Sequence, residues 1–396
     1  MRGSGMKDIA VGLFNDSFTP IIDGVTVAVR NYAYWLNRTL GPTCVVAPSA
    51  PSHRDEEGFP ILRFLSIPTF VHPPYRIGLP AFDFRLGTKL ERCDFSLLHA
   101  HSPFGAGRAA LKTARARDIP VVATFHSKFR DNLCRALPIR RLVDDQIKRI
   151  VEFYHSVDQV WVPQESVAGT LREYGYEGPY EVVENGIDFR PPEDLAPLRE
   201  RGGELLGLPA DAIVGLFVGQ HILEKNLELL VRSLPGIMAA VPDFRMVFVV
   251  QGCAKLYLKD LVRRLGIRDR VLFYGPILDR RLLAAAYARG DLFLFPSLFD
   301  NAPLVLREAA AFGTPSVLIR GSTAAEVIRE GENGFLAEDD AEAFAEKVAR
   351  ILEDPRGLEL AGIGARRSLC RSWEDVVREV RDRYLSILAL GPARRR

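Results

Sequence analysis

The sequence predicts an α/β protein with two successive domains, each built on a parallel sheet that helices cover on both faces. Three observations support this fold class. The chain has 396 residues, which is too long for one ordinary hydrophobic core. Short apolar, β-branched runs alternate with longer segments of helical period. This alternation stops and restarts once, near residues 185–208, so we expect two Rossmann-like domains that face a shared cleft.

The first half contains six apolar runs that we interpret as strands, with helical segments between them. The strands are predicted at Ile9–Phe14, Cys44–Ala47, Ile61–Phe64, Ser96–His99, Pro120–Phe125 and Gln159–Val162. The clearest helices are predicted at Val25–Leu40 and Ala106–Arg117. Parallel sheets bind ligands beyond the carboxyl ends of their strands, so the residues that follow each strand are the first candidates for a site.

The second half repeats the pattern. Its strands are predicted at Ile213–Val218, Met246–Val250, Val271–Tyr274, Leu292–Phe295 and Pro315–Ile319. Its helices are predicted at Asn226–Ala239, Leu256–Leu265, Arg280–Arg289, Val305–Phe312 and Ala341–Leu352. A last amphipathic helix, about Ser372–Leu388, could pack on either domain.

These elements define the predicted domain boundaries. The N-terminal domain covers 6–188, the C-terminal domain covers 209–372, and residues 373–396 form the last helix and a basic tail. A linker is predicted at 189–208 because Arg190–Asp194 carries two prolines and two acids. Residues 1–5, Met-Arg-Gly-Ser-Gly, resemble an expression-vector leader before Met6.

Composition excludes several classes of protein. Apolar residues make up 47% and charged residues 26%, and a net charge of +2 gives no general case for nucleic-acid binding. The five cysteines include no C-x-x-C pair, which disfavours a disulfide framework or a zinc site and fits a reducing cytoplasm. No apolar run reaches the ~20 residues that span a bilayer. The sequence also lacks the glycine-rich dinucleotide fingerprint, the P-loop and the G-x-S-x-G elbow.

Three loops of the first domain carry candidate ligand-binding residues. Asp23-Gly24 precedes a helix, where backbone N–H groups favour an anion and glycine permits close approach; the alternative is an ordinary turn. His99 and His101 lie two residues apart at a strand end, so both rings could point to one face. They could be structural, but His126 with Lys128 repeats the pattern at the next strand end.

In the second domain, Lys225 lies between a glycine turn and a helix. The helix dipole disfavours a cation there unless an anion such as a diphosphate lies between them; a solvated surface lysine is the alternative. Asp300 follows a predicted strand, and Glu308 lies two turns into the next helix. The two carboxylates could bind sugar and ribose hydroxyls, while the helix start holds a diphosphate. A helix cap explains Asp300 but leaves Glu308 unexplained.

Together these residues resemble glycosyltransferase family 4, a retaining family with the GT-B fold. The resemblance covers nearly the whole chain after Met6. It rests on the order and spacing of the motifs Asp23-Gly24, His99-x-His101, Thr124-x-His126, Glu184-Asn185-Gly186-Ile187-Asp188, Val218-Gly219 with Glu224-Lys225, Phe273-Tyr274-Gly275, Pro296-Ser297, Asp300-x7-Glu308, Glu332-Asn333-Gly334-Phe335 and Trp373.

The resemblance implies a role for each matching residue. His101, Lys225 and Asp300 are the catalytic candidates, with His101 near the transferred sugar, Lys225 on the diphosphate and Asp300 on sugar hydroxyls. His126 and Lys128 are the implied acceptor-binding residues. The implied donor-binding residues are Gly24, Gln220, Lys225, Ile277, Asn301, Ala302, Leu304 and Glu308.

Four residues of the second domain depart from the family pattern, and in the first loop Asp23-Gly24 stands where many members have two glycines. Gln220 replaces a usual arginine, which removes one phosphate-binding charge unless a protonated His221 compensates. Asp300 replaces glutamate and is one methylene shorter. Ala302-Pro303 replaces Phe-Gly, and Pro303 cannot donate an N–H to phosphate.

The expected function is therefore metal-independent transfer of a hexose from a nucleotide-diphosphate sugar, with a UDP-sugar favoured, to an acceptor hydroxyl. No cofactor or metal is expected. A glucan synthase or phosphorylase-like enzyme on the same fold is one alternative, and a non-catalytic sugar-nucleotide-binding protein is another.

The acceptor is the least determined part of this expectation. Residues 66–80 resemble a segment of bacterial members that glycosylate diacylglycerol, which implies a lipid acceptor and a cytoplasmic protein peripheral to the inner face of the plasma membrane. Lys128–Arg149 alternates basic and apolar residues, so it could lie against an anionic membrane. An ordinary amphipathic helix packed on its domain is the alternative.

Overall fold

The computed structural model describes residues 9–392 except 52, 70–74, 137–138, 251 and 299. The leader predicted at 1–5, the terminal Ala393–Arg396 and part of the segment 66–80 lie outside the described residues. The described chain forms two compact units. Unit 1 runs to Gly186 and resumes at Trp373, and unit 2 is Ile187–Ser372.

The strands and helices alternate as the sequence predicts. The strands are β1 Val11–Phe14, β2 Thr43–Pro48, β3 Ile61–Phe64, β4 Ser66–Pro68, β5 Arg76–Gly78, β6 Leu97–Ala100, β7 Val121–Thr124, β8 Gln159–Val162, β9 Glu181–Val182, β10 Ile213–Val218, β11 Phe244–Val249, β12 Val271–Phe273, β13 Leu292–Phe295, β14 Ser316–Ile319 and β15 Gly334–Ala337. The α-helices are α1 Gly24–Thr39, α2 Phe84–Glu91, α3 Gly105–Arg117, α4 Phe129–Ala136, α5 Arg140–His155, α6 Glu165–Glu173, α7 Ala196–Leu206, α8 Leu227–Ala240, α9 Lys255–Arg264, α10 Arg280–Arg289, α11 Leu304–Ala311, α12 Ala341–Leu352, α13 Pro355–Leu369 and α14 Trp373–Leu390.

Each unit contains one parallel sheet. The strand order is β3-β2-β1-β6-β7-β8-β9 in unit 1 and β12-β11-β10-β13-β14-β15 in unit 2. The chain order therefore reverses beside β1 and again beside β10. In open parallel sheets, the crevice at such a reversal is where ligands bind. The α/β class and the two Rossmann-like sheets predicted from sequence are confirmed.

The last helix belongs to unit 1, although unit 2 lies between it and the rest of that unit in the sequence. Trp373 packs edge-on against Tyr32 of α1, with ring centroids 5.6 Å apart. Tyr384 stacks on Trp161 of β8 at 5.5 Å. Both α14 residues are almost fully buried, so burial of aromatic surface fixes this helix on unit 1. The expected C-terminal helix that crosses back is therefore present.

The segment predicted as a linker, 189–208, lies within unit 2 and contains α7. Helix α7 approaches α10 closely: a Cβ added to Gly202 would lie 2.1 Å from the carbonyl oxygen of Ala285. The prediction of a separate linker was wrong because the two prolines precede the helix and do not interrupt it. Pro197 lies in the first turn of α7, where a missing N–H costs nothing.

Candidate functional site

In unit 2, Lys225 and Asp300 meet beyond the carboxyl ends of neighbouring strands. Lys225 follows β10 and Asp300 follows β13, which pairs with β10. The Lys225 ammonium donates to both carboxylate oxygens of Asp300, at 2.9 and 2.8 Å. The two side chains are 13% and 21% exposed, so the pair lies at a partly covered surface that a ligand can reach.

The loop after β13 orients Asp300. The hydroxyl of Ser297 donates to Asp300 Oδ2 at 2.6 Å, and the Asp300 N–H donates back to the Ser297 hydroxyl at 3.2 Å. On the other side, Lys225 ends a short 3₁₀ turn, and Asn226 adopts a left-handed backbone (φ 54°) before α8 begins. Asparagine tolerates this conformation better than most residues, so the turn can present Lys225 to the strand ends.

Glu308 is the second carboxylate of the predicted pair, and it lies buried on α11. Its Oε2 accepts from the Tyr287 hydroxyl at 2.7 Å and its Oε1 accepts from Arg280 Nη2 at 3.1 Å, both from α10. Burial raises the pKa of the Glu308 carboxyl, and Arg280 and Tyr287 counteract this rise. The carboxylate is thus held in one orientation with a cation beside it.

The start of α11 offers backbone donors of the kind that bind phosphate. Pro303 is the residue that caps this helix, and it has no N–H. Leu304 is the first helical residue, where an N–H has no intrahelical acceptor. Asn301 is buried and Ala302 is half-buried in the preceding loop. The predicted donor-binding stretch 301–304 therefore lies between Asp300 and the helix that carries Glu308.

Two other predicted donor residues lie on loops of unit 2. Gln220, directly after the β10 turn, is exposed. Ile277 lies in the loop between β12 and α10, half-buried against the core of the unit. No described contact tests the role of either residue, so both assignments stay predictions.

His221 cannot replace the charge that Gln220 lacks. Its ring is fully buried, and a Cβ on Gly252 would lie 2.3 Å from its carbonyl oxygen, so the chain packs tightly around it. Burial, reinforced by the charge of Lys255, lowers the pKa of His221 to about 4. The imidazole is therefore neutral near pH 7, so the condition for compensation, a protonated His221, is not met.

In unit 1, Gly24 begins α1, and Asp23 caps the helix by accepting from Thr26 N at 2.7 Å. Gly24 is exposed, and a Cβ added there would contact nothing within 4 Å. The open space beside Gly24 permits a ligand to approach the backbone at the start of α1. The structure is compatible with the predicted role of Gly24 but does not test it.

Three histidines of unit 1 form one cluster. The ring centroids of His99 and His101 are 4.0 Å apart, and His101 Nδ1 lies 3.0 Å from His126 Nε2. His99 bonds Tyr384 at 2.6 Å and Thr124 at 2.7 Å, so both of its nitrogens have structural partners. His101 Nε2 is buried and has no hydrogen-bond partner among the described residues.

Burial keeps these rings neutral. It holds the pKa of His99 and of His101 well below the ordinary value, and the neighbouring rings contribute in the same direction. Burial also lowers the pKa of His126 to about 4. Nε2 of a neutral His101 can form one hydrogen bond with a sugar hydroxyl in either tautomer. It donates when it carries the ring proton and accepts when Nδ1 carries it.

The basic stretch after His126 contains an ordinary packed helix. Lys128 is half-buried in the loop before α4. Helix α5 buries an apolar face in unit 1, formed by Val143, Ile147, Ile150, Phe153 and Tyr154. Its apolar stripe therefore serves the core, as the alternative interpretation expected.

Sequence reasoning missed the residues that hold the site residues in place. Tyr287 and Arg280 hold Glu308, Ser297 holds Asp300, and Tyr384 holds His99. Tyr287 had one usable signal, a hydroxyl within the otherwise alanine-rich run of α10. Among the described residues, no group of three or more His, Cys, Asp or Glu side chains could hold a metal ion.

The fold and these strand-end groups define an α/β protein with two Rossmann-like units and a candidate ligand site at the reversal point of the unit 2 sheet. Two protein-family models match the chain: "Glycosyltransferase Family 4" at residues 22–190 and "Glycosyl transferases group 1" at residues 204–367. The chain therefore belongs to glycosyltransferase family 4 and is a glycosyltransferase with the GT-B fold.

Similar curated proteins share this class but differ in substrate. An α-monoglucosyldiacylglycerol synthase of Streptococcus pneumoniae is 25% identical over 78% of this chain and 70% of its own length. A GDP-mannose-dependent α-mannosyltransferase of Corynebacterium glutamicum is 26% identical over 98% and 91%. A D-inositol 3-phosphate glycosyltransferase of Catenulispora acidiphila is 32% identical over 67% and 64%.

Solved structures agree on the fold. Sucrose-phosphate synthase from Thermosynechococcus elongatus superposes with a TM-score of 0.78 at 19% identity, covering 97% of this chain and all of the other. HepE from Anabaena in complex with UDP-glucose gives 0.74 at 18% identity, over 95% and 100%. At these identities the likeness establishes the GT-B architecture alone.

Proposed function

We propose that this enzyme transfers a hexose from a UDP-sugar to an acceptor hydroxyl, with retention of the anomeric configuration and without a metal ion. The observation that carries the proposal is the Lys225–Asp300 pair at the reversal point of the unit 2 sheet, where a cation and a carboxylate face the same opening. The solved HepE complexes contain UDP and UDP-glucose, which favours uracil as the base.

Each group of unit 2 has a separate task in the donor site. Lys225 binds the diphosphate, supported by the N–H groups at the start of α11. When the diphosphate binds Lys225, it replaces Asp300 as the partner of the ammonium group. The released Asp300 carboxylate then accepts hydrogen bonds from the sugar hydroxyls. Glu308 accepts hydrogen bonds from the ribose hydroxyls, with its orientation fixed by Tyr287. The same donor site is lined by Gln220, Ile277 and residues 301–304.

The transfer step needs no protein nucleophile. The bond between the sugar C1 and the leaving phosphate oxygen breaks while the acceptor oxygen bonds to C1 on the same face. The acceptor proton passes to a phosphate oxygen of the leaving nucleotide diphosphate. The protein contributes positioning and neutralises charge on the leaving group, which is the task of Lys225.

Unit 1 supplies the groups for the transferred sugar and the acceptor. Gly24 allows close approach at the start of α1, and His101 Nε2 offers a hydrogen bond that no described protein group uses. His126 and Lys128 receive the acceptor. A lipid acceptor, and with it peripheral attachment to the inner face of the plasma membrane, is supported by the relatives named as glucosyldiacylglycerol synthases. Among the described residues, no helix is long and apolar enough to cross a bilayer.

A thermal-shift panel of UDP-, GDP- and ADP-sugars tests the donor. We expect a UDP-sugar to raise the melting temperature by mass action, and this rise to be much smaller in Glu308→Gln. A GDP-sugar as the only stabiliser would change the base assignment, as in the GDP-mannose-dependent relative. If no nucleotide sugar stabilises the wild type, the proposal fails. The anomeric coupling in the NMR spectrum of the product then tests retention.

A glucan-synthase or phosphorylase-like reaction remains the alternative on this fold. It requires glycogen as acceptor, or inorganic phosphate in place of the nucleotide. Assays with glycogen, and with a glucan plus phosphate, distinguish these reactions from the proposed one.

A further inference from the structure

A cavity opens beyond the carboxyl ends of β1, β2 and β3 in unit 1. Its volume is about 210 Å³. Pockets that hold a whole drug-sized ligand usually have volumes of ~300 Å³ or more. This cavity is therefore large enough for one chemical group of a larger molecule. Its polar lining includes Ser17, Ser49, Arg63 and Arg76.

The cavity lies on the same loop as the start of α1. The hydroxyls of Ser17, in the cavity wall, and of Tyr75 both donate to Asp23 Oδ2 at 3.2 Å. Asp23 in turn caps the helix that begins at Gly24. A molecule in the cavity is thus adjacent in the fold to the predicted sugar-binding loop of unit 1.

Arg63, one of the two arginines, is already neutralised. Its guanidinium donates to the Asp55 carboxylate at 2.5 and 3.1 Å. It also donates to the carbonyl oxygens of Pro48 at 2.8 Å and Thr19 at 2.7 Å. These contacts account for Nε and both terminal nitrogens, so Arg63 forms part of the wall.

Arg76 is held in place by neutral groups. Its Nε donates to the Ser66 hydroxyl at 2.7 Å, and its Nη2 donates to the Ser66 carbonyl at 3.0 Å. The Ser66 hydroxyl donates to the Ser49 carbonyl at 2.7 Å, which fixes it in turn. Within the described ranges, no carboxylate forms an ion pair with Arg76.

Asp16 is the remaining acid in the wall, and its carboxylate oxygens have other partners. They accept from the Ser102 hydroxyl at 2.6 Å and from the N–H of Ala106 at 2.9 Å. Burial raises the pKa of Asp16. The cavity therefore presents an oriented guanidinium that no described carboxylate contacts in an ion pair.

We propose that this cavity binds a phosphate group of the acceptor, through Arg76. The inference rests on the proposed glycosyl transfer and narrows its acceptor to phosphate esters. A guanidinium fork binds two phosphate oxygens at once, and Nη1 of Arg76 makes no hydrogen bond to the described residues. A neutral acceptor such as diacylglycerol leaves Arg76 without a counter-charge. The phosphate can belong to a soluble polyol phosphate or to a phospholipid headgroup.

Phosphate binding is tested first, with the full chain carrying Lys225→Ala so that the donor site does not bind the probe. Inorganic phosphate and glycerol 3-phosphate are titrated by calorimetry. We expect Arg76→Gln to weaken binding at least ~tenfold, the effect of removing a charge-assisted pair. The exposed Arg85→Gln serves as the matched control and should bind as the parent does. Equal affinities in the two variants would overturn the proposal.

Arg76→Lys is a second variant in case Arg76→Gln fails to fold. It keeps the positive charge at this position but loses the paired donors of the guanidinium group. It should fold and bind with intermediate affinity. Binding equal to that of Arg76→Gln agrees with the proposal, since the fork is then essential. Binding equal to the parent shows that a point charge suffices and overturns the assigned bidentate geometry.

Transfer assays then separate the two sources of phosphate. The acceptors are inositol phosphate, inositol, phosphatidylinositol vesicles and diacylglycerol in phosphatidylcholine vesicles. We expect Arg76→Gln to raise KM for whichever phosphorylated acceptor is used, while stabilisation by the UDP-sugar is unchanged. If the wild type prefers a neutral acceptor, this inference fails although the transferase proposal stands. If no donor stabilises any variant, the fault lies with the transferase proposal.

Discussion

The Lys225 ammonium lies 2.8–2.9 Å from both carboxylate oxygens of Asp300, so the proposed donor site contains an internal ion pair. If Lys225 binds the diphosphate as we propose, the nucleotide competes with Asp300 for the same cation. Such competition would couple the two halves of donor recognition, because a carboxylate released from Lys225 becomes available to the sugar hydroxyls.

The first prediction concerns Lys225 itself. Lys225→Ala should lower turnover at least ~100-fold, the scale of removing one key electrostatic donor from a transition state. The measurement is initial-rate transfer from the identified donor at saturation. Lys112→Ala, at an exposed position of α3, is the control and should retain normal turnover. Near-normal transfer by Lys225→Ala would remove the assigned role.

The second prediction separates binding from catalysis at Asp300. Asp300→Asn frees Lys225, so UDP should bind about three- to tenfold more tightly, equivalent to ~1 kcal/mol for a partly exposed pair. The same change removes a charged acceptor for the sugar hydroxyls, so turnover should fall. Calorimetry with UDP and steady-state kinetics measure the two effects. Weaker UDP binding in this variant would contradict the competition between Asp300 and phosphate.

The third prediction concerns Glu308 and the tyrosine that orients it. Glu308→Gln should raise the Kd for UDP at least ~tenfold, since a carboxylate can accept from both ribose hydroxyls and a carboxamide oxygen accepts less strongly. Tyr287→Phe removes only the 2.7 Å contact to Oε2, so its effect should be about fivefold, near the ~1 kcal/mol of one hydrogen bond.

An exposed acid provides the control for Glu308. Glu338 is 64% exposed and pairs with Arg320 at the surface of unit 2. Glu338→Gln should leave the Kd for UDP unchanged. A larger loss in Tyr287→Phe than in Glu308→Gln would show that Tyr287 contacts the nucleotide itself.

The sequence predicted one donor site for Lys225 and Asp300, although it did not predict that the two side chains form an ion pair. The carboxyl ends of neighbouring parallel strands lie at one edge of a sheet, and both residues lie in the loops that follow such strands. Topology therefore brings the two loops close together. The same reasoning placed His101 beside His126, which follow the paired strands β6 and β7.

The side chains that orient these groups through hydrogen bonds could not be predicted from the positions of the strand ends. Tyr384 and His99 are 285 residues apart and meet only because α14 returns to unit 1. Periodicity indicates that a helix has a buried face, but it does not say against which strand that face packs. The burial of His221 had the same cause, since the close approach of Gly252 is a tertiary contact.

The fourth prediction is that transfer requires no divalent metal. In the proposed donor site, Lys225 and the start of α11 would provide the positive potential that a bound metal ion supplies to the leaving diphosphate in metal-dependent enzymes. Activity measured after dialysis against a chelator should stay within about twofold of the untreated enzyme. Loss of activity that Mg²⁺ or Mn²⁺ restores, at unchanged thermal stability, would show that a metal takes part.

The last prediction concerns the stability of unit 1 below neutral pH. His99, His101 and His126 have folded-state pKa values below the ordinary 6.5, so the unfolded chain binds more protons than the folded chain as the pH falls. The stability that unit 1 gains from burying these imidazoles in their neutral form is fully present above about pH 6.5. It declines as the pH falls below that value. For His126 the decline should continue until the pH approaches its folded pKa of about 4.

Urea unfolding between about pH 7.5 and about pH 5 measures this decline, which amounts to at most ~1.4 kcal/mol per pH unit for each histidine. His126→Gln keeps a hydrogen-bonding side chain beside His101 but removes one titrating group. Its slope of unfolding free energy against pH should therefore be smaller than that of the wild type. The buried Asp16 and Glu308 carboxyls, whose pKa values are raised, oppose the trend at lower pH. They are present in both proteins, so they cancel in the difference, and an unchanged slope would mean that His126 is not held neutral by burial.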